Sequence, residues 1–271
     1  MNDIAFLIYS HTDYSDLWFA SLTQCTEQLP NQSNIYFAIN DSSIFNNTLQ
    51  HIFPYVNIIT YDDTLSLFNK LLNIVTQIAT KFKYVLLFID CHMLNKIDSV
   101  KLSIIINIIK EYNMDCFQLW CHDVNIDDNL ITNGISIAPH RNYYAFCGYP
   151  CIWKITSFID LLSKFPNTSY REMEDSFIQS YVVNNFSVYR FGLLEPIIKT
   201  SCGNMSLIFN FIRTMCHRHW CKSYKIHDNN FQIDYNNIIA RYNLKDTQTY
   251  KNADEAIKNC TVNPNCIMYS I

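Results

Sequence analysis

Glycine is nearly missing from this chain: there are 4 in 271 residues. Loops that wrap a phosphate in successive backbone N–H groups need glycine for close approach, and neither G-x-G-x-x-G nor G-x-x-x-x-G-K-[ST] occurs. A Rossmann dehydrogenase and a P-loop kinase are thereby set aside. Long apolar runs are missing too. No stretch nears the roughly 18 apolar residues of a membrane span. The opening "MNDIAFLIYS" has Asp3 where a signal peptide carries positive charge, and its apolar run is too short. Charged residues make up only 16%, with net charge −4 and a pI near 6.0. Nothing therefore draws the whole chain toward nucleic acid or an anionic membrane. A small-domain cysteine framework is absent as well: the 11 cysteines are odd in number and scattered. They read as buried free thiols in a reducing, cytoplasmic setting.

What is present is apolar mass. With 49% hydrophobic residues the chain can build one large α/β domain, or a domain with an appended lobe. Asn, Ile and Tyr are abundant, a bias that fits an AT-rich genome. N-x-[ST] triplets such as Asn46-Asn47-Thr48 arise by chance in such a chain.

"IAFLIYS" (4–10) is a continuous apolar run, as expected of a strand covered on both faces. An amphipathic helix follows the turn "HTDYS", with Trp18, Leu22, Cys25 and Leu29 at helical spacing, and ends at Pro30. "NIYFAIN" (34–40) and "VNIITY" (56–61) read as the next strands. Asp62-Asp63-Thr64 offers capping oxygens to a helix striped by Leu65, Phe68, Leu71, Leu72 and Val75. "YVLLFID" (84–90) is a fourth strand, a helix starts at Asp98 or Ser99, and "CFQLW" (116–120) is a fifth strand. This alternation predicts a mostly parallel sheet flanked by helices. Ligands then sit beyond the carboxyl ends of the strands, which aligns Ser10–Tyr14, Asn40-Asp41, Asp62-Asp63 and Asp90–His92 along one rim. After residue 124 the pattern loosens into a loop, "NIDDNLITNG", and a short strand, "ISIAP". A helix runs from near Lys154 to before Pro166. A second carries Met173, Phe177 and Tyr181 on one face, and "FSVYRFGLL" (186–194) is a late strand. Residues 201–271 are expected to form a helical C-terminal extension on a domain spanning 1–200.

Asp90 and His92 pose the sharpest chemical question. A carboxylate and an imidazole two residues apart end a buried strand, and burying either unpaired costs several kcal/mol. Either Asp90 caps a turn beside an exposed His92, or the pair has something to hold. The triad Glu172, Glu174 and Asp175 poses a second. Acidic residues in a first helical turn stabilise the helix in any case, yet they also hold a carboxylate ionised and in place.

Together, "IAFLIYSHTDYSDLW", "IITYDDTLSLFNKLLNIV", "YVLLFIDCHML" and "CIWKITSFIDLLSKFPNTSYREMEDSF" resemble the GT-A-type glycosyltransferases of large DNA viruses and bacterial polysaccharide clusters, over roughly residues 4–195. The resemblance implies a GT-A-like, Rossmann-like α/β fold. It implies transfer of a hexose or deoxyhexose from a nucleoside diphosphate sugar of UDP or GDP type to a glycan acceptor, with inversion. By the same likeness Asp90 and His92 are the metal ligands. One carboxylate stands where the family has two, which favours Mn²⁺ over Mg²⁺ or marks a weakened or metal-independent site. Ser10, His11, Thr12, Asp13 and Tyr14, with Asn40, Asp41 and Asp63, would meet the nucleotide. Trp153 would line the donor-sugar or acceptor pocket, with a contribution from Tyr149, and Tyr170 and Arg171 would contact acceptor or diphosphate. Glu174 would be the general base, with Asp175 orienting it or binding sugar. A viral source would place the protein in host cytoplasm or virion. Two other readings stay open: a catalytically degenerate GT-A domain that binds sugar or protein, and a nucleotidyltransferase, which usually has a Gly-rich loop that "YSHTDYSD" lacks.

"MCHRHWCK" (215–222) does not match zinc-ligand spacing. With Arg213, Arg218, Lys222 and Lys225 it forms the one basic patch, a solvated face or a site for diphosphate or an anionic acceptor. Cys260 and Cys266 would pair only in an oxidising setting, and Cys91 with His122 has no supporting motif for a hydrolase.

Overall fold

The computed structural model describes residues 3–12, 15–29, 31–43, 48–89, 92–121, 130–141, 145–146, 148, 150–192, 197–200, 203–206, 209–216 and 224–226. The first half runs β1 (Ile4–Tyr9), α1 (Ser15–Gln28), β2 (Ile35–Ile39), α2 (Thr48–Ile52), β3 (Asn57–Thr60), α3 (Leu67–Ala79), β4 (Tyr84–Ile89), β5 (His92–Ile97) and α4 (Ser99–Glu111). Next come β6 (Cys116–Gln118), β7 (Trp120–Cys121), β8 (Leu130–Thr132), β9 (Ile135–Pro139), β10 (Cys151–Lys154), α5 (Ile155–Lys164), α6 (Ser176–Asn185) and β11 (Val188–Phe191). Four short strands follow: β12 (Ile197–Thr200), β13 (Gly203–Ser206), β14 (Phe209–Cys216) and β15 (Tyr224–Ile226).

Nine strands form the main sheet in the order β3-β2-β1-β4-β10-β6-β11-β9-β8. Strands β1 to β4 pair in parallel, as the alternating pattern predicts, and β6 is parallel to β11. Between them β10 runs antiparallel to both β4 and β6. Tyr9 lies opposite Ala38 of β2 and Ile89 of β4, so these carboxyl ends are level.

Strand β1 shows why its run is continuous. Ile4, Phe6 and Ile8 pack with Trp18, Leu22 and Cys25 of α1 and with Leu102, Ile105 and Ile109 of α4. The alternate residues Ala5 and Leu7 pack with Phe68, Leu71 and Val75 of α3 and with Phe158 and Leu162 of α5. A strand covered on both faces needs no polar alternation. Three cysteines among the described residues, Cys25, Cys116 and Cys151, are buried free thiols. Complete burial pushes the Cys25 thiol up to about 12, so it packs as an inert apolar group.

Three sequence expectations need correction. The helical extension is not what the described residues past 200 form: they are the strands β13, β14 and β15. "FNFIRTMC" is aromatic and β-branched, and β14 pairs with the distant β5, a partner that local periodicity cannot reveal. The Met173–Tyr181 helix is interrupted, because Asp175 is extended (φ −63°, ψ 142°) and separates a 3-10 turn at Glu172–Glu174 from α6. The buried face of α6 is accordingly Ile178, Gln179 and Val182, and Phe177 is exposed. Finally α3 is capped by Ser66, whose hydroxyl accepts from Asn69 N. Asp62 instead accepts from the backbone N and hydroxyl of Thr64, which leaves Asp63 for other work.

Candidate functional site

The carboxyl rim of β1, β2 and β3 gathers four polar side chains. His11 Nε2 stands 2.9 Å from Asp63 Oδ2 and 3.0 Å from Asn40 Nδ2. Asn40 Oδ1 accepts from Thr12 N at 2.8 Å, and its Nδ2 donates to Thr12 Oγ1 at 3.2 Å. Lys70, one turn into α3, donates to the other oxygen of Asp63 at 2.6 Å.

These bonds fix the Asn40 amide. Turning it over would set an N–H donor against the Thr12 N–H, so Nδ2 must face His11. One ring nitrogen then faces a donor, Asn40, and an acceptor, Asp63, and can satisfy one of them at a time. Protonated at Nε2, His11 donates to Asp63; unprotonated there, it accepts from Asn40. The cluster is therefore polar, partly exposed and able to offer a ligand either a donor or an acceptor.

A second layer holds it from beneath. Tyr61 stacks on Tyr9 with ring centroids 5.0 Å apart, and its hydroxyl donates to Ser10 O at 2.6 Å. The Lys70 ammonium lies 5.4 Å from the centre of the Tyr61 ring, a cation–π distance. Ser10 is buried, and its hydroxyl accepts from Trp18 Nε1 at 2.7 Å. It anchors α1 to the end of β1.

The Lys70 hydrogen bond holds the Asp63 carboxyl below its usual value; partial burial opposes this, and His11 adds to it. The sign of the resulting stability follows. Stability from this depression is fully present above the unfolded value of 3.8 and disappears as pH falls through the lower folded value. The difference in Tm between wild type and Asp63→Asn should therefore be constant at neutral and mildly acid pH and shrink below 3.8. A difference unchanged down to pH 2 would show that Lys70 does not hold that carboxylate.

The segment leading into the acidic turn packs on the start of α3. Ser66 Oγ donates to Pro166 O, and Phe68 N donates to Thr168 O at 3.3 Å, so the chain ahead of the turn lies against the first turn of α3. Glu172 is taken up locally: its carboxylate accepts from Ser169 N at 2.7 Å, and bonding to Ser169 lowers its pKa. Met173 is buried, Glu174 half-buried and Asp175 exposed. Gln179 ties this turn to the 145–150 segment. It accepts from Phe146 N at 3.0 Å and donates to Phe146 O at 2.5 Å and Met173 O at 2.9 Å. Gln118 holds Ala145 O at 2.7 Å. A Cβ on Gly148 would stand 2.9 Å from Tyr170 Oη and 3.3 Å from Ile89 Cδ1. That close approach puts Tyr170 beside the end of β4.

The expected site residues therefore divide. His11, Thr12, Asn40 and Asp63 meet. Asp41 is exposed and bonds its own turn at Ser43 N, 2.8 Å, which lowers its carboxyl. Trp153 is a correction: its ring is fully buried, stacked on Phe158 at 5.2 Å and edge-on to Phe146 at 5.6 Å. It sits mid-sheet in β10, so no sugar can reach it. Asp13, Tyr14, Tyr149 and Asp90 lie outside the described residues. His92 opens β5 opposite Arg213. Among the described residues no group of three or more His, Cys, Asp or Glu could hold a metal ion. Lys70, Tyr61 and Gln179 were not foreseen. Lys70 had a signal, the one charged residue of α3; buried Gln179 had none.

Comparison with protein-family models and with curated proteins yields no match. Solved structures do match. A cytidylyltransferase from Leptospira borgpetersenii serovar Hardjo-bovis (strain JB197) is 12% identical, with TM-score 0.46 over 92% of this chain and 100% of that one. S. aureus TarS 1-349 is 14% identical, with TM-score 0.42 over 69% of this chain and 60% of that one. An apo-UDP-glucose pyrophosphorylase is 7% identical, with TM-score 0.44 over 78% and 93%. At these identities and scores the likeness decides no chemistry, which is read from the chain's own residues. No helix among the described residues is long and apolar enough to cross a membrane.

Proposed function

We propose that the protein is a GT-A-like glycosyltransferase that moves a hexose or deoxyhexose from a UDP- or GDP-type sugar to a glycan acceptor, with inversion. The observation that carries this reading is the meeting of His11, Asn40, Asp63 and Lys70 on the carboxyl rim of β1–β3, with the segment ahead of the acidic turn bonded to the start of α3. Ligands of open α/β sheets lie beyond such strand ends. Base and ribose present donors and acceptors together, and the His11–Asn40–Asp63 group offers both. Thr12, Asp13, Tyr14 and Asp41 belong to the same turns, where Tyr14 would stack on the base.

The metal reading is judged on donor chemistry. Asp90 and His92 provide one carboxylate oxygen and one imidazole nitrogen, a mixed set that suits Mn²⁺ better than Mg²⁺. When bound, Mn²⁺ would neutralise charge on the departing diphosphate. Glu174 takes the proton from the acceptor hydroxyl as the new bond forms, and Asp175 orients it or binds sugar.

The single carboxylate also favours a second reading, a domain that binds sugar or protein without catalysis. A thermal-shift screen of UDP-, GDP- and dTDP-sugars with and without Mn²⁺ separates the two. One nucleotide family should raise Tm, more so with Mn²⁺. No shift with any of them would remove the enzyme reading and leave the binding module.

A further inference from the structure

Arg213 occupies the position directly opposite His92. Strands β14 and β5 run antiparallel, with Phe209 against Ile97, Ile212 against Met93 and Arg213 against His92. Opposed residues of such a pair share one face of the sheet, with Cα atoms about 4.5–5.5 Å apart. Diagonal neighbours, about 7–8 Å away, remain within reach of a long side chain. Asp90 precedes His92 by two residues in the sequence. Ile89 closes β4 level with Tyr9 of β1, three residues ahead of His92. The basic stretch near the C-terminus is thus not merely a charged segment. Its first arginine is in register with His92, the last residue of the Asp90-Cys91-His92 motif.

We propose that Arg213 binds the diphosphate of the nucleotide sugar, a role that rests on the nucleotide-sugar reading above. A motif with one carboxylate gives a divalent ion one anionic ligand instead of two, and so a weaker hold. A guanidinium supplies fixed positive charge without any metal, in a planar fork that matches two phosphate oxygens at once. The register sets Arg213 opposite the imidazole-bearing residue of that motif. Donor binding should therefore persist without metal, and the dependence should reside in the phosphates, not in the nucleoside.

Calorimetric titration tests this. Uridine and UDP (guanosine and GDP if the screen selects guanine) are titrated with and without Mn²⁺ into full-length wild type, Arg213→Gln, Arg213→Lys and His11→Ala. Arg213→Gln should weaken diphosphate binding without metal by roughly 10–100-fold, the worth of a charged hydrogen bond or two, and leave the nucleoside within about twofold. Arg213→Lys, which keeps the charge and loses the fork, should fall between; it also carries the test if the Gln variant does not fold. His11→Ala should weaken nucleoside and diphosphate alike. If His11→Ala does so while both Arg213 variants keep the wild-type ratio of nucleoside to diphosphate affinity, the nucleotide site stands and Arg213 is not part of it. If no nucleotide binds wild type, the premise fails and the role of Arg213 falls with it.

Discussion

Glu174→Gln should lower turnover by about 10²–10⁴-fold, the usual worth of a positioned general base, and leave donor affinity unchanged. Three carboxylates compete for the role, and their surroundings separate them. Glu172 is committed to Ser169, and its lowered pKa makes it a poor proton acceptor. Asp175 holds the N-cap position of α6, where its backbone carbonyl accepts from Gln179 N at 3.0 Å, and its side chain is exposed. Glu174 is half-buried next to Met173, whose carbonyl Gln179 holds at 2.9 Å, so its backbone is fixed. A base must be held in place, and of the three Glu174 is the one that is half-buried on a fixed backbone. The check is release of nucleoside diphosphate from the donor found by the screen, alongside calorimetric donor binding. Unchanged release would move the role away from Glu174, with Asp175→Asn next in line.

The parallel half of the sheet was legible because its signals are local. Six-residue apolar runs, helical stripes at three- and four-residue spacing, and polar turns between them are all carried by neighbours in sequence. The rim followed from the same signals, since strand direction alone brings Ser10–Thr12, Asn40 and Asp63 to one edge. What was not legible depends on distant partners. Strand β10 enters antiparallel through contacts with β4 and β6, and β14 finds β5; neither partner is marked in the strand itself. One hairpin had a signal that a loop reading missed. Asn133-Gly134 joins β8 to β9 with φ of 50° and 75°, the left-handed pair that a two-residue hairpin demands.

Within the site, chemistry was easier to read than commitment. Residue type marked Ser10, Asp41, Asp62 and Glu172 as candidates equally with His11 and Asp63. Whether a polar side chain is spent on its own backbone depends on one or two hydrogen bonds, and sequence spacing does not settle those. Asp62 and Asp63 illustrate this: adjacent carboxylates, one folded onto Thr64 and the other shared by Lys70 and His11. Gln179 shows the converse. A residue type usually found on the surface is buried here and makes three hydrogen bonds that join the acidic turn to the segment beside Ile89.

Trp153→Ala should cost about 3–5 kcal/mol of stability, the range for emptying a large aromatic site in a core. In a domain of this size that is a fall in Tm of roughly 10 °C. The ring has no exposed surface, stacks on Phe158, and meets Phe146 and Phe186 edge-on at 5.6 and 5.9 Å. The space left behind is bounded by the main sheet and α5, which cannot close on it without breaking their own packing. Trp153→Phe should cost much less, because it keeps ring contacts and removes an indole N–H that meets no acceptor among the described residues. The two variants also decide between core and sugar platform. A core role predicts that Trp153→Phe binds donor as wild type does, and that Trp153→Ala loses stability in the absence of any ligand. Normal Tm in Trp153→Ala together with lost donor binding would return this tryptophan to the sugar pocket.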